Sequence, residues 1–127
     1  MATIICQNEL GYQNGDLSTF TGIVPGEIKR IFYIYGAKGQ RRGGHRHHQS
    51  WNILICLSGK CRIYCNDGET EKFFYLNDPK QCLVIQPKEW HIMDRFSHDA
   101  ILLVLANTYY NENDYIYEPY AKDKQYV

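Results

Sequence analysis

The stretch Arg42-Gly43-Gly44-His45-Arg46-His47 is followed, after four intervening residues, by Asn52 and, after six more, by Gly59. Side chains two apart on a strand point to the same side of it, so His45 and His47 converge on one face while Arg46 turns to the other. Imidazoles have an ordinary pKa near 6.5 and can take and return a proton at neutral pH. A pair of them on one strand face, beside a diglycine and Arg42, marks this segment as the working part of the chain.

Outward from this stretch, short runs rich in β-branched and aromatic residues recur between turn signals: Ile28 to Tyr35, Trp51 to Leu57, Cys61 to Cys65, Glu71 to Leu76, Gln81 to Gln86 and Ala100 to Ala106. This spacing predicts an all-β antiparallel barrel or jelly roll. Ser58-Gly59-Lys60 reads as a tight hairpin link and Asn66-Asp67-Gly68 as a second turn, each joining antiparallel neighbours. The continuously apolar Ala100 to Ala106 predicts a central strand buried on both faces. Tyr109 to Tyr117 is polar, acidic and aromatic and suggests one turn of helix before a poorly ordered tail over 118–127.

Length and composition bound the rest. The 127 residues, 44% of them hydrophobic, fit one domain with one core, and no repeat or linker divides them. Lys plus Arg and Asp plus Glu number 14 each, so no field of one sign draws the protein to nucleic acid. No stretch approaches the roughly 18 apolar residues of a membrane span, and the N-terminus lacks a basic leader. The five cysteines form no CxxC pair; together these features predict a soluble chain in a reducing cytoplasm, with Cys56 and Cys82 as core residues.

The first motif resembles that of the cupins, small β-barrels in which two histidines and a Glu supply metal ligands; Asn52 stands at the Glu position. Pro87-Lys88-Glu89-Trp90-His91 resembles the second cupin motif, with Glu89 where Gly is usual. Asn is a poor metal ligand, so acid–base chemistry without a metal or other cofactor becomes the leading expectation. The longer pattern is similar to that of the nucleotide-sugar 3,4-ketoisomerases. It comprises Arg42-Gly43-Gly44-His45-x-His47, Ile55-Cys56-Leu57-Ser58-Gly59-Lys60-Cys61-Arg62, Asp67-Gly68, Trp90-His91-x-Met93 and Val104-Leu105-Ala106-x-x-Tyr109-Tyr110 through Ile116. Two departures are Arg46 in place of Ala and Tyr117 in place of a basic residue.

The resemblance implies a homodimer, which could exchange the N-terminal strand Thr3-Ile4-Ile5-Cys6. It also implies migration of the keto group of dTDP-4-keto-6-deoxyglucose from C4 to C3, on the way to 3-amino-3,6-dideoxy sugars. On this reading His45 is the main base at C3 and His47 its partner. Tyr33 and Tyr35 share a parity and are expected to face inward as donors to the developing oxyanion. Arg41, Arg42 and Arg62 are candidates for the diphosphate, with His91 and Asn52 also touching substrate. The competing readings are a non-catalytic nucleotide-sugar-binding cupin and a metal-dependent cupin using His45, His47 and His91.

Overall fold

Alternation decides which side of each strand is buried, and it recurs through the computed structural model, which describes residues 1–6 and 19–121. In β4 (Asn52–Ser58), Asn52, Leu54 and Cys56 point inward while Ile53 and Ile55 point outward. The other strands are β1 (Thr3–Cys6), β2 (Arg30–Tyr35), β3 (Arg42–His47), β5 (Cys61–Asn66), β6 (Glu71–Leu76), β7 (Gln81–Ile85), β8 (Trp90–Asp94), β9 (Ile101–Ala106) and the short β10 (Tyr115–Ile116). They form two five-stranded sheets, in the orders β1-β7-β4-β9-β2 and β10-β3-β8-β5-β6. Every ladder is antiparallel.

The inner faces meet in one core. Leu54, Cys56, Leu83, Ile85, Leu102 and Val104 from the first sheet oppose Cys61, Ile63, Cys65, Leu76 and Met93 from the second. Each Leu or Ile so buried contributes roughly 1.5–3 kcal/mol relative to exposure. Cys56 and Cys82 are fully buried free thiols, as expected from their apolar surroundings. Phe20, Ile23, Val24 and Trp51 cover part of the outside of the first sheet. Tyr64, Trp90 and Ile92 form a separate cluster outside the second.

Three expectations are corrected. Ser58-Gly59-Lys60 does not join paired strands: β4 pairs with β7 and β9, and β5 with β6 and β8, so this link turns the chain from one sheet to the other. It is held at the corner by Lys60 N–H donating to Ser97 Oγ at 2.9 Å and Ser97 N–H to the Lys60 carbonyl at 2.9 Å. The central strand β9 is buried on its inner face only; outward-facing Ile101 is 36% exposed. The helical turn falls at Glu112–Asp114 but leads into the short strand β10 rather than directly into a tail. Of the tail expected over 118–127, residues 122–127 lie outside the described residues. Among those described, no helix is long and apolar enough to cross a membrane.

Candidate active site

A β-bulge in β3 builds one wall of the site. Arg42 pairs with Met93 and Gly43 with Ile92, but the next partnered residue is His45, opposite His91. Gly44 is the extra residue, and both glycines take positive φ, +83° and +81°. An inserted residue reverses strand parity, which is why Arg42, His45 and His47 all line the same cavity. Gly43 is required twice over: a Cβ there would lie 2.9 Å from the His91 carbonyl oxygen, in a backbone conformation that favours glycine.

The cavity measures about 190 Å³. That is below the roughly 300–1,000 Å³ of pockets that enclose a drug-sized ligand, so it takes the reacting end of a larger molecule. Three imidazoles meet in it, with ring centroids 4.9 Å (His45 to His47), 4.8 Å (His45 to His91) and 5.8 Å (His47 to His91) apart. Tyr115 completes the cluster, 4.8 Å from the His45 ring and 4.6 Å from that of His47. Arg30 donates to the Tyr115 hydroxyl at 3.1 Å while lying against the Phe32 and Tyr110 rings.

Each histidine is oriented differently. His47 Nδ1 lies 3.1 Å from Asp114 Oδ2; a carboxylate only accepts, so Nδ1 carries the proton and Nε2 keeps a lone pair. Asp114 is itself fixed by Ser50 Oγ at 2.5 Å and by the Gln49 N–H at 2.8 Å, and Ser50 lies 2.5 Å from Thr108 Oγ1. His91 donates from Nδ1 to the Glu89 carbonyl at 3.1 Å. The Glu89 side chain is buried elsewhere, 3.0 Å from the Met1 amino nitrogen.

Burial governs the ionisation of all three. It pushes His45 down to about 4, helped by the charges of His47 and Arg30. His91 falls to about 3, through burial and the other two imidazoles. Burial also lowers His47, but Asp114 pulls the other way. Burial tends to raise Asp114, and the bonds from Ser50, Gln49 and His47 nevertheless hold it below the usual carboxylate range. All three rings are therefore neutral near pH 7. Between pH 6.5 and about 4 the unfolded chain binds protons at His45 that the folded chain refuses, so stability declines as pH falls through that window. Thermal melts are expected to show a falling Tm from pH 7 to 4.5, with a shallower slope in His45→Gln. A slope equal to wild type in the variant would contradict the assignment.

The ligating nitrogens of His45, His47 and His91 lie within 4.8 Å of one another. Three imidazoles are a competent transition-metal set, set here among charges of both signs. Asn52 adds a neutral amide, and Arg30 and Arg42 line the same cavity. Arg30 disfavours positive charge on His45, whereas on His47 Asp114 outweighs Arg30. The two arginines suit the cavity to an anionic group, while the three neutral imidazoles are the ones that would hold a divalent ion.

The remaining expected residues divide. Asn52 is buried and lines the cavity, and its Nδ2 has no hydrogen-bond partner. Arg42 lies at the rim; Arg41 is exposed and does not line the cavity. Arg62 lies outside it, held by a bidentate pair with Asp94 at 2.8 and 2.7 Å. Tyr33 and Tyr35 face outward, 61% and 70% exposed, because Phe32 and Ile34 take the inward parity of β2. Arg30, Asp114 and Tyr115 are not among the site residues expected from the sequence, although Asp114 and Tyr115 fall in the family-like stretch that ends at Ile116. Asp114 lies 67 residues from its partner His47.

Fold and site together define a cupin whose barrel holds a cationic cavity with three neutral imidazoles. The family model FdtA, described as WxcM-like, C-terminal, matches residues 3–126. The TDP-4-oxo-6-deoxy-alpha-D-glucose-3,4-oxoisomerase of Aneurinibacillus thermoaerophilus is 40% identical over 105 residues, 82% of this chain and 75% of the relative. The structure of WlaRA, a TDP-fucose-3,4-ketoisomerase from Campylobacter jejuni, superposes with TM-score 0.85 at 42% identity, covering 92% of this chain and 89% of that one. A variant of the 3,4-ketoisomerase QdtA from Thermoanaerobacterium thermosaccharolyticum, in complex with TDP-4-keto-6-deoxyglucose, gives TM-score 0.82 at 36% identity over 92% and 87%. The chain belongs to this family of sugar 3,4-ketoisomerases.

Proposed function

We propose that this protein moves the keto group of TDP-4-keto-6-deoxyglucose from C4 to C3 by metal-free acid–base catalysis. The observation that carries the reading is the His47–Asp114 pair in a cavity that favours anions. The names of the relatives support the substrate class.

His47 Nε2 takes the C3 proton; the C3–H electron pair forms the C3=C4 double bond, and the C4 carbonyl electrons move to its oxygen. The Tyr115 hydroxyl, whose oxygen accepts from Arg30, presents its own proton to that oxygen. The O3 proton then leaves, its O–H electrons form the C3 carbonyl, and C4 takes up a proton, with His45 as the second proton carrier. The roles of the two histidines are thus exchanged relative to the sequence expectation, because Asp114 supports the basicity of His47 alone. Tyr115 takes the donor role expected of Tyr33 and Tyr35. Asn52 and His91 contact the sugar, and Arg42 meets the diphosphate at the rim.

Incubation with TDP-4-keto-6-deoxyglucose in D₂O, followed by NMR, tests this. A 3-keto product deuterated at C4, formed at the same rate with and without a chelator, is expected. Saturable binding without turnover would leave a binding protein instead, and chelator-sensitive turnover would restore the metal-dependent reading.

The outward Tyr33 and Tyr35 belong to a second proposal. They join Ile31, Leu57 and Ile101 in an apolar patch on the outer face of the first sheet, 36–70% exposed. A second copy of the chain covers this face, giving a homodimer. β1 pairs with β7 within the chain, and exchange of that strand is part of the same proposal. Light scattering is expected to give twice the chain mass, and Tyr33→Glu to give the monomer; a wild-type monomer would overturn it.

A further inference from the structure

Arg46 lies between His45 and His47 but sends its side chain to the opposite face of β3. There its Nε donates to the Glu118 carbonyl at 3.1 Å, and its guanidinium sits 4.0 Å from the Tyr120 ring centroid. Tyr120 donates its hydroxyl to the Lys88 carbonyl at 2.7 Å, and its ring packs with the Tyr64, Trp90 and Ile92 cluster. The Lys88 N–H in turn donates to the His47 carbonyl at 2.7 Å. The C-terminal segment is thereby tied to both the strand carrying His47 and the loop that leads to His91.

What these contacts hold in place is a wall of the site. Asp114 orients His47, and Tyr115 stacks on Tyr117 while meeting the His45 and His47 rings at a tilt. Upstream of Glu118 this wall is attached to β3 by a ladder of two residue pairs, Tyr115 with His47 and Ile116 with Arg46, and by the His48 N–H to the Asp114 carbonyl. An edge pairing that short is marginal alone; bonds from Ser50, Gln49 and His47 to the Asp114 side chain and from Arg30 to the Tyr115 hydroxyl add to it, and the contacts beyond Glu118 close the far end of the wall.

We propose that Arg46 and Tyr120 are positioning residues, a clasp on the outside of the barrel that holds Asp114 and Tyr115 against the catalytic histidines. The inference rests on the ketoisomerase reading above and assigns a role to the Arg that replaces the Ala of the family pattern. Arg46 cannot reach substrate from its face of the strand, so any kinetic effect of changing it passes through the wall.

The test uses the full chain with Arg46→Ala, Tyr120→Ala, their double variant and the milder Arg46→Lys and Tyr120→Phe. Each alanine variant is expected to lower kcat per folded molecule by about fivefold or more with KM little changed, the double variant being no worse than the worse single, as for two ends of one interaction. Amide exchange over 114–121 is expected to accelerate by about tenfold, with the inner strands unchanged. A purely structural role would lower the folded fraction while leaving turnover per folded molecule unmoved. Wild-type turnover per folded molecule, independent losses that multiply, or unaltered exchange would each overturn the clasp; should an alanine variant not fold, Arg46→Lys and Tyr120→Phe give the same readouts in smaller measure. If wild-type protein turns over no keto sugar, the ketoisomerase reading fails by itself, and the exchange measurement still decides whether the clasp exists.

Discussion

Replacing His47 with Asn is expected to lower kcat/KM for the keto sugar by about 10²- to 10⁴-fold, the range of a positioned general base. Asn approximates the volume of the ring's first half, and its amide can still bond to Asp114, so substrate affinity should change little. The loss should therefore appear in kcat, and deuterium incorporation at C3 should stop. His45→Asn supplies the contrast. Burial, His47 and Arg30 depress its basicity, opposed by a hydrogen bond with the Gly43 backbone alone, so C3 exchange should persist in that variant while product formation slows. Loss of C3 exchange in the His45 variant and its survival in the His47 variant would reverse the two roles.

The motif around His45 made the barrel legible because its information is local. Two histidines at strand spacing, a diglycine and a run of short β segments specify an antiparallel frame without reference to distant residues. What was not legible depends on pairing across the chain. In β2, both parities carry apolar residues: Phe32 and Ile34, beside Arg30, on one side, and Ile31, Tyr33 and Tyr35 on the other. Sequence cannot choose between two such faces. The tyrosines turn outward, where their hydroxyls meet water and their rings form an apolar surface. The second sheet, in contrast, hides Arg62 against Asp94 through a register that places the two opposite each other. An arginine read as a phosphate ligand is therefore already neutralised.

The bulge at Gly43 and Gly44 carries the same lesson in the opposite sense. Alternation from His45 would send Gly43 inward and Arg42 outward, yet the extra residue returns Arg42 to the cavity. The charge character of the site follows from that shift. Burial keeps the three imidazoles unprotonated, with Arg30 adding to the effect on His45 and His47, while Arg30 and Arg42 draw an anion to the cavity. A neutral imidazole accepts a proton; an imidazolium could not. Burial thus serves catalysis and the arginines serve binding.

Asp114→Asn should be nearly as damaging as loss of His47, although the substituted atom never meets substrate. The carboxylate accepts everything offered to it: the Gln49 N–H on Oδ1, and Ser50 Oγ and His47 Nδ1 on Oδ2. An amide has one accepting oxygen. If that oxygen stays with Gln49, the NH₂ faces His47, which must then leave Nδ1 bare and carry its proton on Nε2, toward the substrate. The base becomes a donor. If the amide is reversed, its NH₂ opposes the Gln49 N–H and the loop carrying Ser50 must shift. A wrong tautomer of this kind costs a serine protease about 10⁴-fold, and a fall in kcat/KM of at least 10²-fold is expected here with binding of the nucleotide sugar retained. Ser50→Ala should cost much less, since Asp114 keeps its other partners. Near-wild-type turnover in Asp114→Asn would remove Asp114 from the mechanism and leave His47 to be oriented by its packing against Tyr115 and His45.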